Sequence, residues 1–127
     1  MRHLLCTILF FLSLLYIGCA SPITRTMGTQ EGLASYYSTE FHGRKTSSGE
    51  IFDKNALTAA HRTFPFGTIL LVTNLKNSKQ VKVKVNDRGP VKPERIIDLS
   101  YGAAKEIDLV RDGLVRVRVE VVEWGKQ

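Results

Sequence analysis

Twice in this chain valine alternates with a charged residue, in Val81-Lys82-Val83-Lys84-Val85 and in Val115-Arg116-Val117-Arg118-Val119-Glu120-Val121. A period of two puts the valines on one face and the charges on the other, the mark of a strand with one buried face. The β-rich run Thr68–Thr73 precedes the first of these, and Asn74-Leu75-Lys76-Asn77-Ser78 reads as a hairpin connection into it. Gly32–Tyr37, with its strand-favouring tyrosines, makes a further strand, and Arg95–Ser100 re-enters an apolar layer through Ile96-Ile97. Ser100 is placed to cap one short helix over Tyr101–Ile107, which Gly102 weakens. Five or six strands, one short helix and long loops in roughly 105 residues predict an all-β fold, a small closed barrel rather than an open sheet.

The first residues stand apart from that core. Met1-Arg2-His3 is a basic start, and Leu4–Ile17 is almost wholly apolar, too short to span a bilayer comfortably and followed by small residues. It reads as a secretory leader, residues 1–18, with a polar tether over 19–30 and the folded domain over 31–125. Leu15-Tyr16-Ile17-Gly18-Cys19 is similar to a lipobox, so Cys19 is the expected lipidation site, although Tyr16 departs from its usual pattern. Ordinary cleavage after Ala20 is the alternative. Either way neither Cys6 nor Cys19 is left for a disulfide, and with His42 and His61 the remaining histidines no metal site is expected.

The formal charge is +6, or about +5 once Arg2 leaves with the leader. The basic residues are scattered over outer strand faces, without a basic helix or basic-aromatic motif, so nucleic acid is not an expected partner. No cofactor is expected. The chemistry gathers instead at two acids. Asp87 closes the Val81 strand just before the turn Arg88-Gly89-Pro90, and Asp98 follows Ile96-Ile97. Taken alone they read as a turn residue and a residue opening a helix. A carboxylate just past a buried run also sits where burial raises its pKa, the condition for a general acid at neutral pH. The polar loop Ser38–Gly49, with Phe41, His42, Arg44 and Lys45, has the length and composition of a loop lining a binding site.

The order of short segments carries more. Gly32-Leu33-Ala34-Ser35-Tyr36-Tyr37, Phe41-His42-Gly43, Thr46-Ser47-Ser48-Gly49-Glu50, Leu57-Thr58-Ala59-Ala60-His61-Arg62-Thr63, Pro65-Phe66-Gly67-Thr68, Val85-Asn86-Asp87-Arg88-Gly89-Pro90 and Arg95-Ile96-Ile97-Asp98-Leu99-Ser100 together resemble the rare lipoprotein A (RlpA) family. The resemblance covers essentially the whole mature domain. It implies a six-stranded double-psi β-barrel, lipid-anchored in the cell envelope, facing the periplasm, with the outer membrane the expected site because no Asp follows Cys19. It also implies an endolytic lytic transglycosylase that cuts MurNAc–GlcNAc bonds of peptidoglycan, preferring peptide-stripped strands and leaving 1,6-anhydro-muramic ends.

Matched position by position, the resemblance places catalytic or substrate-contacting roles on Glu50, His61 and Asp87, with Asp98 matching an acid kept by related barrels. Asp87 is the first candidate for the proton donor and Asp98 the second. Glu50 would stabilise the cationic transition state and His61 would bond an acid or a sugar hydroxyl. Tyr37, His42 and Arg88 are the expected substrate contacts, Arg88 also being placed to pin its turn through a carboxylate. Many members carry a C-terminal SPOR domain that binds denuded glycan; the sequence stops at Gln127 just after the barrel, a departure from that pattern that leaves septal targeting open. A monomer is expected. The competing reading is a non-catalytic, expansin-like glycan-binding module or an envelope scaffold.

Overall fold

The structure, a computed structural model, describes residues 28–126. The leader, Cys19 and the tether up to residue 27 lie outside the described residues. Six strands close into a barrel: β1 (Thr29–Tyr36), β2 (Thr58–Ala60), β3 (Ile69–Asn74), β4 (Gln80–Asp87), β5 (Arg95–Leu99) and β6 (Val115–Glu123), in the order β1-β5-β2-β4-β3-β6. The pairs β1–β5 and β2–β4 are parallel and the other four antiparallel. This is the closed six-stranded barrel expected, although β1 starts two residues before the boundary at 31, where Thr29 and Gln30 pair with Glu120 and Val119.

Both alternating runs behave as their period requires. Val81, Val83 and Val85 of β4 and Val115, Val117 and Val119 of β6 are buried, with Leu70, Val72, Ile97 and Leu99 filling the same core. Each such side chain contributes roughly 1.5–3 kcal/mol, an upper figure because the unfolded chain already hides some surface. Three residues, Thr58–Ala60, form β2, too few for a sequence pattern to show; parallel pairing with β4 and antiparallel pairing with β5 hold them.

Two short helices replace the one expected: α1 (Tyr101–Glu106), capped by the Ser100 hydroxyl accepting from the Ala103 N–H, and α2 (Leu109–Asp112). Gly102 weakens α1 locally but fits its surroundings. A Cβ there would come within 2.6 Å of the Asn55 carbonyl oxygen, and the Gly102 N–H donates to Lys54 O at 2.8 Å. Close packing on the loop before β2 therefore requires glycine.

Candidate active site

The register around β2 decides where the acids go. Ala59 lies beside Val85 of β4 and Leu99 of β5, both core residues, whereas Ala60 lies beside Asp87 and Asp98. Between Ala59 and Ala60 the register on β4 shifts by one residue, a bulge that leaves Asn86 over. Strict alternation would turn Asp87 to the side of Val81, Val83 and Val85; the bulge turns it outward instead, onto the face of Asp98. Asp87, Ala60, Asp98 and Ser35 thus form one row across β4, β2, β5 and β1. Two strand spacings separate the two acids, about 10 Å between their Cα atoms.

Residues 43–52 fold as a small hairpin against this row. Gly43 N–H donates to Phe52 O at 2.8 Å, Phe52 N–H to Arg44 O at 2.7 Å, and Lys45 bridges to Ile51. Its tip grips the bulge: Ser48 N–H donates to Asn86 O at 3.2 Å and Ser47 N–H to Asp87 Oδ1 at 2.9 Å. Between hairpin and barrel opens a cleft of about 330 Å³ with Tyr37, Phe41 and Phe52 as aromatic wall, Arg44, Lys45 and Thr46 at the rim, and Asp87 within it. A larger hollow of about 590 Å³ elsewhere on the barrel is lined by Leu33, Leu75 and Leu114, and its Lys76 and Asp112 already pair at 3.1 Å. Size alone does not select the site.

Asp87 is the most heavily bonded side chain of the cleft. Tyr37, at the end of β1, reaches past β5 and β2 to donate its hydroxyl to Asp87 Oδ2 at 2.7 Å, while the Ser47 and Arg88 N–H groups donate to Oδ1 at 2.9 and 2.8 Å. Burial raises the pKa of this carboxyl, but the bonds from Tyr37, Ser47 and Arg88 outweigh it and hold the pKa below the ordinary carboxylate value. The expectation of a raised Asp87 pKa is therefore corrected: the group is an anion at neutral pH. Burial and the nearby Asp87 and Asp98 charges push the Tyr37 phenol far up, so it stays a donor. Asp98 lies within β5, not at the opening of a helix, accepting from the Ser35 hydroxyl at 2.5 Å with the Arg95 guanidinium at 3.6 Å.

The other expected residues divide. Glu50 stands at the hairpin tip, paired with Lys84 Nζ at 3.0 Å and accepting from Asn86 Nδ2 at 3.4 Å; the bond from Lys84 lowers its pKa despite slight desolvation. His61 is buried and does not reach the carboxylates. Its Nδ1 accepts from the Thr63 and Phe64 N–H groups at 3.1 and 3.0 Å, so Nε2 carries the proton and donates to Gln30 Oε1 at 3.0 Å. Its ring stacks on Phe64 at 3.8 Å, and burial together with Arg88 and Arg62 drives its pKa down to about 4.

His42 accepts the Lys54 N–H on Nδ1 at 3.1 Å and is not among the cleft residues. The Arg88 guanidinium pins its turn through carbonyls, not a carboxylate: it donates to His61 O at 3.1 Å and Phe64 O at 2.8 Å and lies 3.9 Å from the Phe66 ring centre. Sequence reasoning missed Phe52 and the Ser47 amide. A main-chain donor has no residue signature; the turn-rich Thr46–Gly49 segment was its one available signal.

An outward-facing acid pair beside an aromatic cleft on a closed barrel narrows the field, and residues 29–119 match the lytic transglycolase family. The chain belongs to the lytic transglycolase family. It is similar to the endolytic peptidoglycan transglycosylase RlpA of Campylobacter jejuni, 58% identical over 97 residues that make up 76% of this chain and 35% of that protein. It is also similar to the probable endolytic peptidoglycan transglycosylase RlpA of Synechocystis, 51% identical over 104 residues, 82% of this chain and 32% of that one. The chain spans about a third of the length of the curated relatives it matches. Among solved structures, the Streptomyces papain inhibitor superposes with a TM-score of 0.63 at 21% identity, covering 78% of this chain and 98% of its own. A Clavibacter michiganensis expansin gives 0.62 at 19%, covering 78% and 52%. At such identities the likeness concerns fold, the double-psi β-barrel of the family.

Proposed function

We propose that this chain is an endolytic peptidoglycan lytic transglycosylase, cutting MurNAc–GlcNAc bonds within glycan strands, peptide-stripped strands by preference, and leaving 1,6-anhydro-muramic ends. The observation that carries the reading is the pair Asp87 and Asp98 on one outward face, Asp87 inside a cleft whose aromatic wall suits the apolar side of a pyranose. Family membership and the names of the RlpA relatives support it.

The chemistry requires a proton for the bridging oxygen, stabilisation of the cationic muramic ring, and removal of the proton from its C6 hydroxyl as that oxygen closes on C1. Asp87, ionised by its three donors, suits the second and third tasks. We assign proton donation to Asp98, the second candidate of the sequence, which, paired with the Arg95 guanidinium at 3.6 Å, must take up a proton before each turnover. As the glycosidic bond breaks, Asp98 gives its proton to the leaving oxygen and Asp87 takes one from the C6 hydroxyl. No water is consumed, and exchange with solvent restores both acids. Glu50, held by Lys84, acts as a positioning residue that ties the hairpin to β4.

The second reading, an expansin-like binding module, draws on the same observation, since an anionic Asp87 is also a good acceptor for sugar hydroxyls. Incubation of the protein with peptide-stripped strands followed by mass spectrometry separates the two. Anhydro-muramic ends support the lyase, ordinary reducing ends mean a hydrolase, and binding without new ends leaves the module. We further place the protein in the cell envelope as a monomer, anchored by lipid on Cys19 at the periplasmic face of the outer membrane. Palmitate labelling that persists in Cys19→Ser would sink the anchor.

A further inference from the structure

The cleft that holds Asp87 carries two cations at its rim, Arg44 and Lys45, and neither has an ionic partner among the described residues. A third cation close to this loop, Lys84, is spent on Glu50 at 3.0 Å. The main chain of Arg44 and Lys45 is also held in place. Arg44 N–H donates to Phe41 O at 3.0 Å, Arg44 O accepts from Phe52 N–H at 2.7 Å, and Lys45 is bridged to Ile51 across the hairpin. The Arg44 guanidinium lies 5.5 Å from the centre of the Phe41 ring, which keeps it beside the aromatic wall.

A cleft built around an anionic carboxylate repels an anionic ligand unless fixed cations offset it, and here two stand against the one acid within the cleft. Resting on the function proposed above, this charge balance has a chemical counterpart in the substrate. A muramic residue without a stem peptide exposes an ionised lactyl carboxylate, whereas in a peptide-bearing residue the same carbon is a neutral amide. We infer that Arg44 and Lys45 read the free lactyl carboxylate of the muramic sugar seated against Phe41 and Phe52, and so set the preference for peptide-stripped strands. Arg44 offers a planar fork to the carboxylate and Lys45 a point charge.

The test is fluorescence anisotropy of end-labelled glycan strands in two forms: stripped strands with free lactyl carboxylates, and the same strands with each carboxylate converted to its methyl amide. Wild-type protein should bind the carboxylate form about tenfold more tightly, and that margin should shrink in high salt. Arg44→Gln/Lys45→Gln should bind both forms alike, at the wild-type affinity for the amide. Unaltered amide binding also reports that the variant is folded, and each single variant should lose part of the margin. The inference is overturned if wild type does not discriminate between the forms, or if the double variant loses equally on both. It is likewise overturned if the double variant keeps the full margin. Binding is measured apart from cleavage: discrimination without anhydro ends would remove the lyase reading and leave this one standing, and cleavage without discrimination would do the reverse.

Discussion

Asp87 and Asp98 begin alike and end in different surroundings. Each stands near the end of an apolar strand, each is level with Ala60, and both face outward. Asp87 accepts three hydrogen bonds, from the Tyr37 hydroxyl and from the amides of Ser47 and Arg88; Asp98 has the Ser35 hydroxyl and the edge of Arg95. The donors of Asp87 come largely from afar, Tyr37 lying 50 residues away in sequence and Ser47 lying 40. A carboxylate's role follows from who donates to it, and for Asp87 that is settled by loops remote in sequence. The strand that carries it contributes only the bulge that faces it outward.

The sharpest way to break the comparison is to neutralise each acid in turn. With turnover followed by release of anhydro ends, Asp87→Asn should lower kcat by roughly 1000-fold and Asp98→Asn by about 100-fold, both within the usual range for acid–base groups. The opposite order would exchange their roles, and full activity in either variant would remove that acid from the mechanism.

A smaller effect sharpens the same contrast. Tyr37→Phe removes one of the bonds that lower the Asp87 pKa, so kcat should fall about tenfold. The acid limb of the pH profile should also move to higher pH as the carboxyl returns toward its ordinary value near 4. A drop in rate with no movement of that limb would mean that Tyr37 serves packing alone.

The smallest effect on activity is expected at His61, whose ring nitrogens are both taken by protein partners. His61→Asn should leave kcat unchanged well below the melting temperature while costing about 1–2 kcal/mol of stability. Its pKa is about 4 when folded against 6.5 when free, so on acidification the unfolded chain takes up the proton first. Wild-type stability should therefore be full above pH about 6.5 and decline toward pH 4, and the Asn variant should lack that part of the decline. Urea midpoints at pH 7.5 and 5 check this; a large loss of kcat in the variant would return His61 to the catalytic group.

Much of the barrel was legible in advance because its signals are local. Valine alternation marks β4 and β6, the turn residues Asn74–Ser78 mark the hairpin between β3 and β4, and Ser100 marks the start of α1. The short strand β2 and the second helix carried no such pattern, being held by pairing and packing with distant segments. The candidate site was legible as a set of residues but not as an arrangement. Phe41, Arg44 and Lys45, in a loop expected to line a binding site, line the cleft; His42 of the same loop lies outside it.

By itself the sequence determined every strand but β2, the barrel class and the two acids at strand ends, because period and turn chemistry act over a few neighbouring residues. Only the tertiary structure decided that a bulge turns Asp87 onto the face of Asp98, that Asp87 is an anion, and that His61 organises a turn. Register, hydrogen-bond donors and burial are sums over segments brought together by folding, and a linear chain does not display those sums.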